Sequence, residues 1–225
     1  MKQNRILRQS LLGLSFVSFV LSFYLIFIYV PTEAMMGVVQ RIFYFHVPVA
    51  WVAFLAFFIV FIGSILYLWK REGKWDVIAS SSAEVGLIFI TLVLITGSIW
   101  AKPIWGVWWV WEPRLTTALV LWFIYVAYHL VRSYASEESQ GARFAAVVGI
   151  VGFIDVPIVA LAITLWRTQH PGPVVFGDGL APSMLLTLLV SVFAFTTLYV
   201  LLVIQRVSLK KSENEIKKMK NSEDM

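Results

Sequence analysis

The chain has 225 residues, of which 60% are hydrophobic and 14% are charged, and its formal net charge is +5. A mean hydropathy of +0.82 is too high for a water-soluble domain and is typical of an integral membrane protein. Cysteine is absent, which excludes disulfides and thiol chemistry by this chain. We interpret the positive charge as membrane topology and attraction to anionic membrane lipid, and we expect no nucleic-acid partner.

Six apolar runs are long enough to cross a bilayer, since about 20 helical residues span roughly 30 Å of hydrocarbon. Backbone that faces lipid must satisfy its own hydrogen bonds, so each run is predicted to be a helix. The predicted spans are 10–30, 47–69, 77–100, 115–131, 145–166 and 182–204. The first run lacks a small-residue cleavage site, and we expect it to be a retained anchor. The predicted fold is therefore an all-α integral membrane protein, a six-transmembrane-helix bundle.

The distribution of lysine and arginine between the two ends of this bundle predicts its orientation. With the N-terminus in the cytoplasm, fourteen of the eighteen basic residues fall inside, which is a strong positive-inside bias. Both termini are therefore predicted to be cytoplasmic. Residues 1–207 form the predicted transmembrane domain, and residues 208–225 form a polar cytoplasmic tail, expected to be a solvated or fraying helix.

Tryptophan is concentrated in one predicted outer connection, residues 101–114. This segment contains four of the ten tryptophans in the chain, namely Trp105, Trp108, Trp109 and Trp111. One or two would be ordinary interfacial anchors, whereas four in seven positions indicate a platform for a flat aromatic ligand. If the segment is helical, the first three and Glu112 share one face, although Pro113 favours extended backbone at Glu112.

The three histidines divide between the two membrane faces. His46 ends the first outer connection and His170 lies in the third, whereas His129 lies at the inner end of the fourth span. Neutral imidazole is a common protein ligand of haem iron. Two outer histidines beside a tryptophan platform therefore favour a bis-imidazole haem site. The alternative is that both are interfacial residues hydrogen-bonded to water or backbone, and we adopt that structural interpretation for His129.

Every predicted outer basic residue lies close in sequence to these histidines or tryptophans. The four residues are Arg41, Lys102, Arg114 and Arg167. Guanidinium groups bind carboxylates through paired hydrogen bonds, and haem carries two propionates, so we expect this set to orient them. Arg114 also follows Pro113 at a predicted helix start, where the helix dipole favours an anion. The alternative is that these side chains snorkel to lipid headgroups.

Two acids interrupt the apolar runs, Glu84 in the third and Asp155 in the fifth. Intramembrane carboxylates are costly and normally face the bundle interior. Asp155 lies two residues before Pro157, where it is expected to serve a kink, and a proton or ion path through both acids is the alternative. The sequence has no nucleotide-binding loop, no clustered histidine pair and no evident nucleophilic constellation, which argues against an ATPase subunit or a haem–copper oxidase.

Two long motifs resemble those of the CcmC family, the haem exporter protein C of cytochrome c maturation. The first is RIFYFHVPVAW at residues 41–51, and the second is PIWGVWWVWEPRLT at residues 103–116. Together with His170 they match the family pattern in order and spacing, and the resemblance covers roughly residues 5–205. One departure lies at the end of the tryptophan motif, where the family usually has Asp followed by Ala and this chain has Glu112 and Pro113.

The resemblance implies a haem-handling protein of the cytoplasmic (inner) membrane that catalyses no covalent step, with its site facing the periplasm or cell exterior. It implies that His46 and His170 ligate haem b, and that the platform presents the haem to the chaperone CcmE. The family works beside the ABC transporter pair CcmA and CcmB and the small subunit CcmD. Two alternatives stay open, a membrane b-type cytochrome that transfers electrons and a permease that uses Glu84 and Asp155.

Overall fold

A computed structural model describes residues 2–166, 170 and 179–223 of the chain. The described residues are helical without strands, and helix accounts for 86% of them. The α-helices are α1 (Lys2–Tyr24), α2 (Phe43–Lys70), α3 (Gly73–Trp105), α4 (Pro113–Ser133), α5 (Glu138–Gly152), α6 (Asp155–Leu165) and α7 (Pro182–Glu223). A π-helical turn at Leu25–Tyr29 extends α1, and a 3-10 turn at Val38–Ile42 precedes α2.

Within the described residues, six segments are long and apolar enough to cross a membrane, which confirms the predicted fold class. The fifth, Glu138–Leu165, contains α5 and α6, which are separated by a break at Phe153 and Ile154. The expectation of one continuous helix over 145–166 is therefore wrong, and the break lies just before Asp155 and Pro157, where the kink was expected. Pro157 explains the break, because it lacks an amide hydrogen and its ring clashes with the carbonyl four residues earlier.

The helices run alternately up and down, so their ends form two groups. At one end, the first turn of α2 contacts the last turns of α3 through His46 and Thr96. We call this the histidine end. At the other end, which we call the opposite end, Arg132 near the end of α4 contacts Asp76 near the start of α3.

The core of the bundle lies where α2, α3 and α4 cross closely. Gly86 allows this approach, since a Cβ atom there would lie 2.6 Å from the Tyr125 hydroxyl oxygen. The Tyr125 hydroxyl donates to the Ala53 carbonyl at 3.0 Å, which satisfies the only polar group of a fully buried side chain. Close packing of small residues is the usual basis of helix association in membranes. It fixes the relative positions of α2, α3 and α4, which are three of the four helices that line the site.

The last helix extends well past the predicted span. It continues without interruption to Glu223, so the expected division between residues 207 and 208 falls inside α7. Its polar part packs on the bundle through ion pairs, with Lys210 2.7 Å from Glu84 and Lys217 2.8 Å from Glu138. These contacts hold the segment beside α3 and α5.

Candidate functional site

A cavity opens at the histidine end between α2, α3, α4 and α6. It encloses about 880 Å³, including space that is open to the surroundings. The polar and tryptophan side chains that line it include His46, His170, Arg114, Trp100, Trp105 and Trp109. The structure thus brings both predicted haem ligands, two platform tryptophans and one predicted propionate partner to one cavity.

The deep part of the cavity is apolar. Phe54, Ile90 and Val159 line it, and each belongs to a different helix. Ile90 lies fifteen residues before Trp105 on α3, which corresponds to roughly 22 Å along the helix axis. The polar lining residues lie at the histidine end, so the cavity has a polar mouth and an apolar floor. It therefore suits a large amphipathic molecule.

His46 lies in the first turn of α2, and its surroundings come mainly from α3. Its Nδ1 atom lies 2.9 Å from the Thr96 hydroxyl oxygen. The Trp100 ring meets the imidazole edge-on, with 5.8 Å between the ring centroids. Gly97 leaves room for the ring, because a Cβ atom there would lie 3.2 Å from His46 Cε1. The histidine is thus held on one side by hydrogen bonding and aromatic packing.

The tryptophan segment is not a helix, so the expected single face of three tryptophans and Glu112 is wrong. Helix α3 ends at Trp105 because Gly106 adopts a left-handed conformation (φ 75°) that glycine tolerates best. The Gly106 amide donates to the Lys102 carbonyl at 3.0 Å and closes the helix. The segment then runs in bends and extended backbone until α4 begins.

This conformation separates the four tryptophans into two pairs. Trp105 and Trp109 line the cavity, whereas Trp108 is 58% exposed and Trp111 is 77% exposed. Trp111 packs edge-on against Trp109, with 5.7 Å between the ring centroids. One pair therefore faces the cavity interior, and the other presents aromatic surface outside it.

Glu112 caps the fourth helix and does not line the cavity. Its Oε1 atom accepts a hydrogen bond from the Leu115 amide at 2.7 Å, and its carbonyl accepts from the Thr116 amide at 3.0 Å. Pro113 occupies the first helical position, where its missing amide hydrogen costs nothing. The cap therefore places Arg114 at the second helical position, on the cavity wall.

The other predicted basic residues have different surroundings. The Lys102 ammonium donates to the Gly106 carbonyl at 2.9 Å and lies 6.0 Å from the centre of the Trp108 ring. The Arg41 guanidinium lies over the Phe27 ring at 5.8 Å. Neither residue lines the cavity. Arg167, the fourth expected propionate partner, lies outside the described residues.

Two buried indole groups of the cavity residues have no acceptor among the described residues. They are the Nε1 atoms of Trp100 and Trp109. Buried donors normally have partners, so a site with unmet donors suits a ligand that carries acceptor atoms. Trp100 was not among the predicted site residues, because a single tryptophan near the end of a span is typical of an interfacial anchor.

The first connection also contributes to the cavity, through Met36. The Glu33 carboxylate accepts hydrogen bonds from the Met36 amide at 2.5 Å and the Met35 amide at 2.9 Å. These backbone donors lower the pKa of the Glu33 carboxyl below its usual value of 4.5. The ionised carboxylate therefore fixes the turn that carries Met36. Met36 was not among the predicted site residues, because its apolar side chain is unremarkable in a membrane protein.

The two intramembrane acids do not line this cavity. Glu84 pairs with Arg206 and Lys210 of α7. Asp155 begins α6, and its Oδ2 atom is buried without a hydrogen-bond partner in the described part of the chain. The expectation that Asp155 serves the kink agrees with its position at the break.

The fold and the cavity define a class of protein, a multi-pass helical membrane protein with an amphipathic ligand cavity between its helices. Over residues 1–222 the chain matches the family model described as Heme exporter protein C. The chain belongs to this family. Membership implies haem handling in cytochrome c maturation, a transport or carrier role, and confirms the resemblance of the two sequence motifs.

Individual relatives agree with the family match. The chain is 36% identical over 175 residues to Heme exporter protein C of Bradyrhizobium diazoefficiens, covering 76% of this chain and 66%, just under two thirds, of that relative. It is 31% identical over 180 residues to Heme exporter protein C of Escherichia coli strain K12, covering 80% and 73% of the two chains. A ccmC-like mitochondrial protein of Marchantia polymorpha, named for cytochrome c biosynthesis, is 29% identical over 206 residues, covering 89% and 88%.

Proposed function

We propose that this chain binds haem b in the cavity at the histidine end and transfers it to a haem chaperone of the CcmE type. The observation that carries the proposal is the joint placement of His46 and His170 on one cavity, although 123 positions separate them. Imidazole nitrogen is a common axial ligand of haem iron, which can change oxidation state when bound. The two histidines are the proposed axial ligands.

The remaining cavity residues fit the other parts of a haem. Trp105 and Trp109 offer indole surface for stacking against a flat ring. Arg114 provides a positive charge for a propionate at the cavity mouth, beside the unmet indole donors of Trp100 and Trp109. The apolar floor suits the hydrocarbon edge of the macrocycle. Each chemical part of the ligand thus has a matching group in the chain.

The exposed residues of the tryptophan segment have a separate proposed role. Trp108 and Trp111 present aromatic surface outside the cavity, and tryptophan is enriched where proteins bind one another. We assign this surface to contact with the haem chaperone. Lys102 supports it by closing α3 beneath Trp108, and Glu112 supports the cavity by capping α4. Arg41 stays beside Phe27 at the same end and is a candidate for contact with a partner or with lipid.

The proposed location is the cytoplasmic (inner) membrane, with the histidine end facing the periplasm or the cell exterior. The positive-inside distribution of lysine and arginine supports this orientation and puts both termini in the cytoplasm. The ABC transporter pair CcmA and CcmB and the small subunit CcmD are the proposed partners of the chain. A carrier must release its ligand, and ligands at the ends of helices are easier to displace than ligands buried in the middle of a bundle.

Absorption spectra of the purified, haem-loaded protein test the ligand assignment. His46→Ala and His170→Ala are each expected to lose the bis-imidazole spectrum, because each removes one axial ligand. His129→Ala is the matched control, since His129 lies near the opposite end and does not line the cavity. An unchanged spectrum in either of the first two variants, with the haem still bound, contradicts the assignment.

Mixing the haem-loaded protein with an apo haem chaperone tests the transfer step. Haem is expected to move to the chaperone. This chain is expected to be covalently unchanged afterwards, because it takes part in no covalent step in the proposal. Replacing the exposed Trp108 and Trp111 together by serine is expected to slow transfer without changing the haem spectrum. Retention of haem together with reduction by a quinol would contradict the carrier role and favour an electron-transfer cytochrome.

A further inference from the structure

The orientation of the His46 ring is set by a short stretch of α3. Thr96 contacts Nδ1, Gly97 lies beneath Cε1, and Trp100 packs edge-on against the ring. Helical spacing places these residues within about one turn of each other. The contacts fall on one side of the imidazole, so α3 controls which nitrogen remains available to the cavity.

The hydrogen bonds of Thr96 identify the donor in its contact with His46. The Thr96 hydroxyl oxygen lies 2.6 Å from the Leu92 carbonyl oxygen one turn earlier on α3. A carbonyl can only accept, and a hydroxyl has one proton, so that proton is directed at Leu92. The Thr96 oxygen therefore accepts from His46, across the 2.9 Å separation from Nδ1. In the neutral imidazole, Nδ1 then carries the proton and Nε2 carries the free lone pair.

Gly97 leaves the space that this orientation of the His46 ring requires. A Cβ atom at position 97 would lie 3.2 Å from His46 Cε1 and 3.8 Å from Nδ1. The first distance is shorter than ordinary van der Waals contact, so any larger residue would displace the ring by a few tenths of an ångström. The absence of a side chain there lets the imidazole lie close enough to α3 for the Thr96 contact.

We propose that Thr96 is a positioning residue that fixes His46 as the Nδ1–H tautomer and presents Nε2 to the haem iron, with Gly97 providing the space for that orientation. The inference rests on the proposed function, in which His46 is an axial ligand. Hydrogen bonds to the outer nitrogen of a ligating histidine orient the ring and raise its basicity. A more basic axial ligand stabilises ferric iron more than ferrous iron and strengthens binding.

Thr96→Val tests the proposal because it removes the hydroxyl and nearly conserves the shape. Haem affinity of the apo-protein, measured by titration, is expected to fall about 10- to 100-fold. The midpoint potential of the residual complex is expected to rise, because ferric iron loses more stabilisation than ferrous iron. Thr96→Ser keeps the hydroxyl and is expected to restore both values to within a few-fold of the wild type.

Thr91→Val is the matched control on the same helix. The Thr91 hydroxyl also donates to a carbonyl four residues earlier, at 2.7 Å from Leu87, and accepts from a ring N–H, the Trp122 indole at 2.9 Å. The Thr91→Val variant therefore loses the same two kinds of hydrogen bond as Thr96→Val, but it changes no contact of His46. Its haem affinity and midpoint potential are expected to match the wild type. If Thr91→Val changes both as strongly as Thr96→Val, the effect is structural and the proposal is wrong.

Gly97→Ala provides a second route that keeps the hydroxyl. It is expected to weaken haem binding and shift the midpoint potential by moving the His46 ring, whereas Gly13→Ala, which meets nothing within 4 Å, is expected to change neither. Wild-type values in both Thr96→Val and Gly97→Ala overturn the proposal, provided that His46→Ala loses the axial ligand. If His46→Ala keeps the wild-type spectrum, the proposed function itself fails, so the two failures are distinguishable.

Discussion

The two ends of the bundle satisfy their polar groups in different ways. At the opposite end, charged side chains from different helices pair with one another, as Arg132 does with both carboxylate oxygens of Asp76 at 2.5 Å. At the histidine end, the buried indole donors of Trp100 and Trp109, which have no acceptor among the described residues, line the cavity. Trp75 at the opposite end also has an unmet indole donor, but it does not line this cavity. Paired charges already have their partners within the chain, whereas unmet donors around a cavity are suited to bind a ligand. We infer that the opposite end contributes mainly to stability and that the histidine end binds the ligand.

Breaking the Arg132–Asp76 pair gives the largest expected effect on stability. Arg132→Ala leaves the Asp76 carboxylate largely buried without its partner, so the free energy of unfolding is expected to fall by about 3 kcal/mol. The measurement is reversible unfolding in detergent, with haem affinity determined on the folded fraction. Haem affinity is expected to stay at the wild-type value, because the pair lies at the other end.

The control for this prediction is the double variant Arg132→Met with Asp76→Leu. Removing both charges is expected to restore most of the stability, because no unpaired charge remains. A fall in the haem affinity of folded Arg132→Ala would contradict the separation of the two ends.

Filling the cavity is expected to weaken haem binding directly. Ala50 lines the cavity from α2, and Ala50→Phe would occupy space that the ligand needs. Haem affinity is expected to fall at least about tenfold, equivalent to about 1.4 kcal/mol. Ala160→Phe is the matched control, because Ala160 is exposed on α6 and does not line the cavity. Equal haem affinities in the two variants would show that the ligand binds elsewhere.

Removing the cap of α4 is expected to have a smaller effect that links stability to binding. Glu112→Ala removes the acceptor for the Leu115 amide, so the free energy of unfolding is expected to fall by about 1 kcal/mol. Haem affinity is expected to fall two- to fivefold at most, because the first turn of α4 carries Arg114. Glu112→Asp keeps a capping carboxylate and is the control. An Ala variant as stable as the wild type would exclude a capping role.

The smallest expected effect concerns the turn that carries Met36. The pKa of the Glu33 carboxyl is lowered in the folded chain, so the ionised carboxylate stabilises the turn at pH values above the usual pKa of 4.5. This stabilisation is lost as the pH falls through the pKa that Glu33 has in the folded chain. At neutral pH, haem is expected to dissociate slightly faster from Glu33→Gln than from the wild type. The two dissociation rates are expected to converge in acid. A difference that grows as the pH falls would contradict this role for Glu33.

Several features of the fold and site followed from local patterns in the sequence. The six spans follow from run length, and the start of α4 follows from Pro113, whose missing amide hydrogen suits the first helical position. The break in the fifth span also lies where Pro157 requires it. The end of α3 at Trp105 was not predicted, because the third span was ended at Trp100 and helix in the tryptophan segment was considered only as a condition, although Gly106 carried a recognisable signal.

The association of residues from different helices could not be predicted in the same way. Thr96 and Trp100 are unremarkable in the third span, and only the packing of α2 against α3 brings them to His46. The separation of Trp105 and Trp109 from the exposed tryptophans likewise depends on the path of the chain after Gly106. Sequence spacing describes neighbours along one helix, whereas these contacts join residues from different elements.

The amino-acid sequence by itself determined that the chain is a six-span helical membrane protein with two of its three histidines and four tryptophans grouped beside one set of helix ends. Its hydrophobic runs determine this, because lipid allows only helices that satisfy their own backbone. Only the tertiary structure decided which of these side chains share a cavity, and that Glu112 caps a helix while Thr96 holds His46. The physical reason is that cavities and hydrogen bonds between helices depend on how the helices pack.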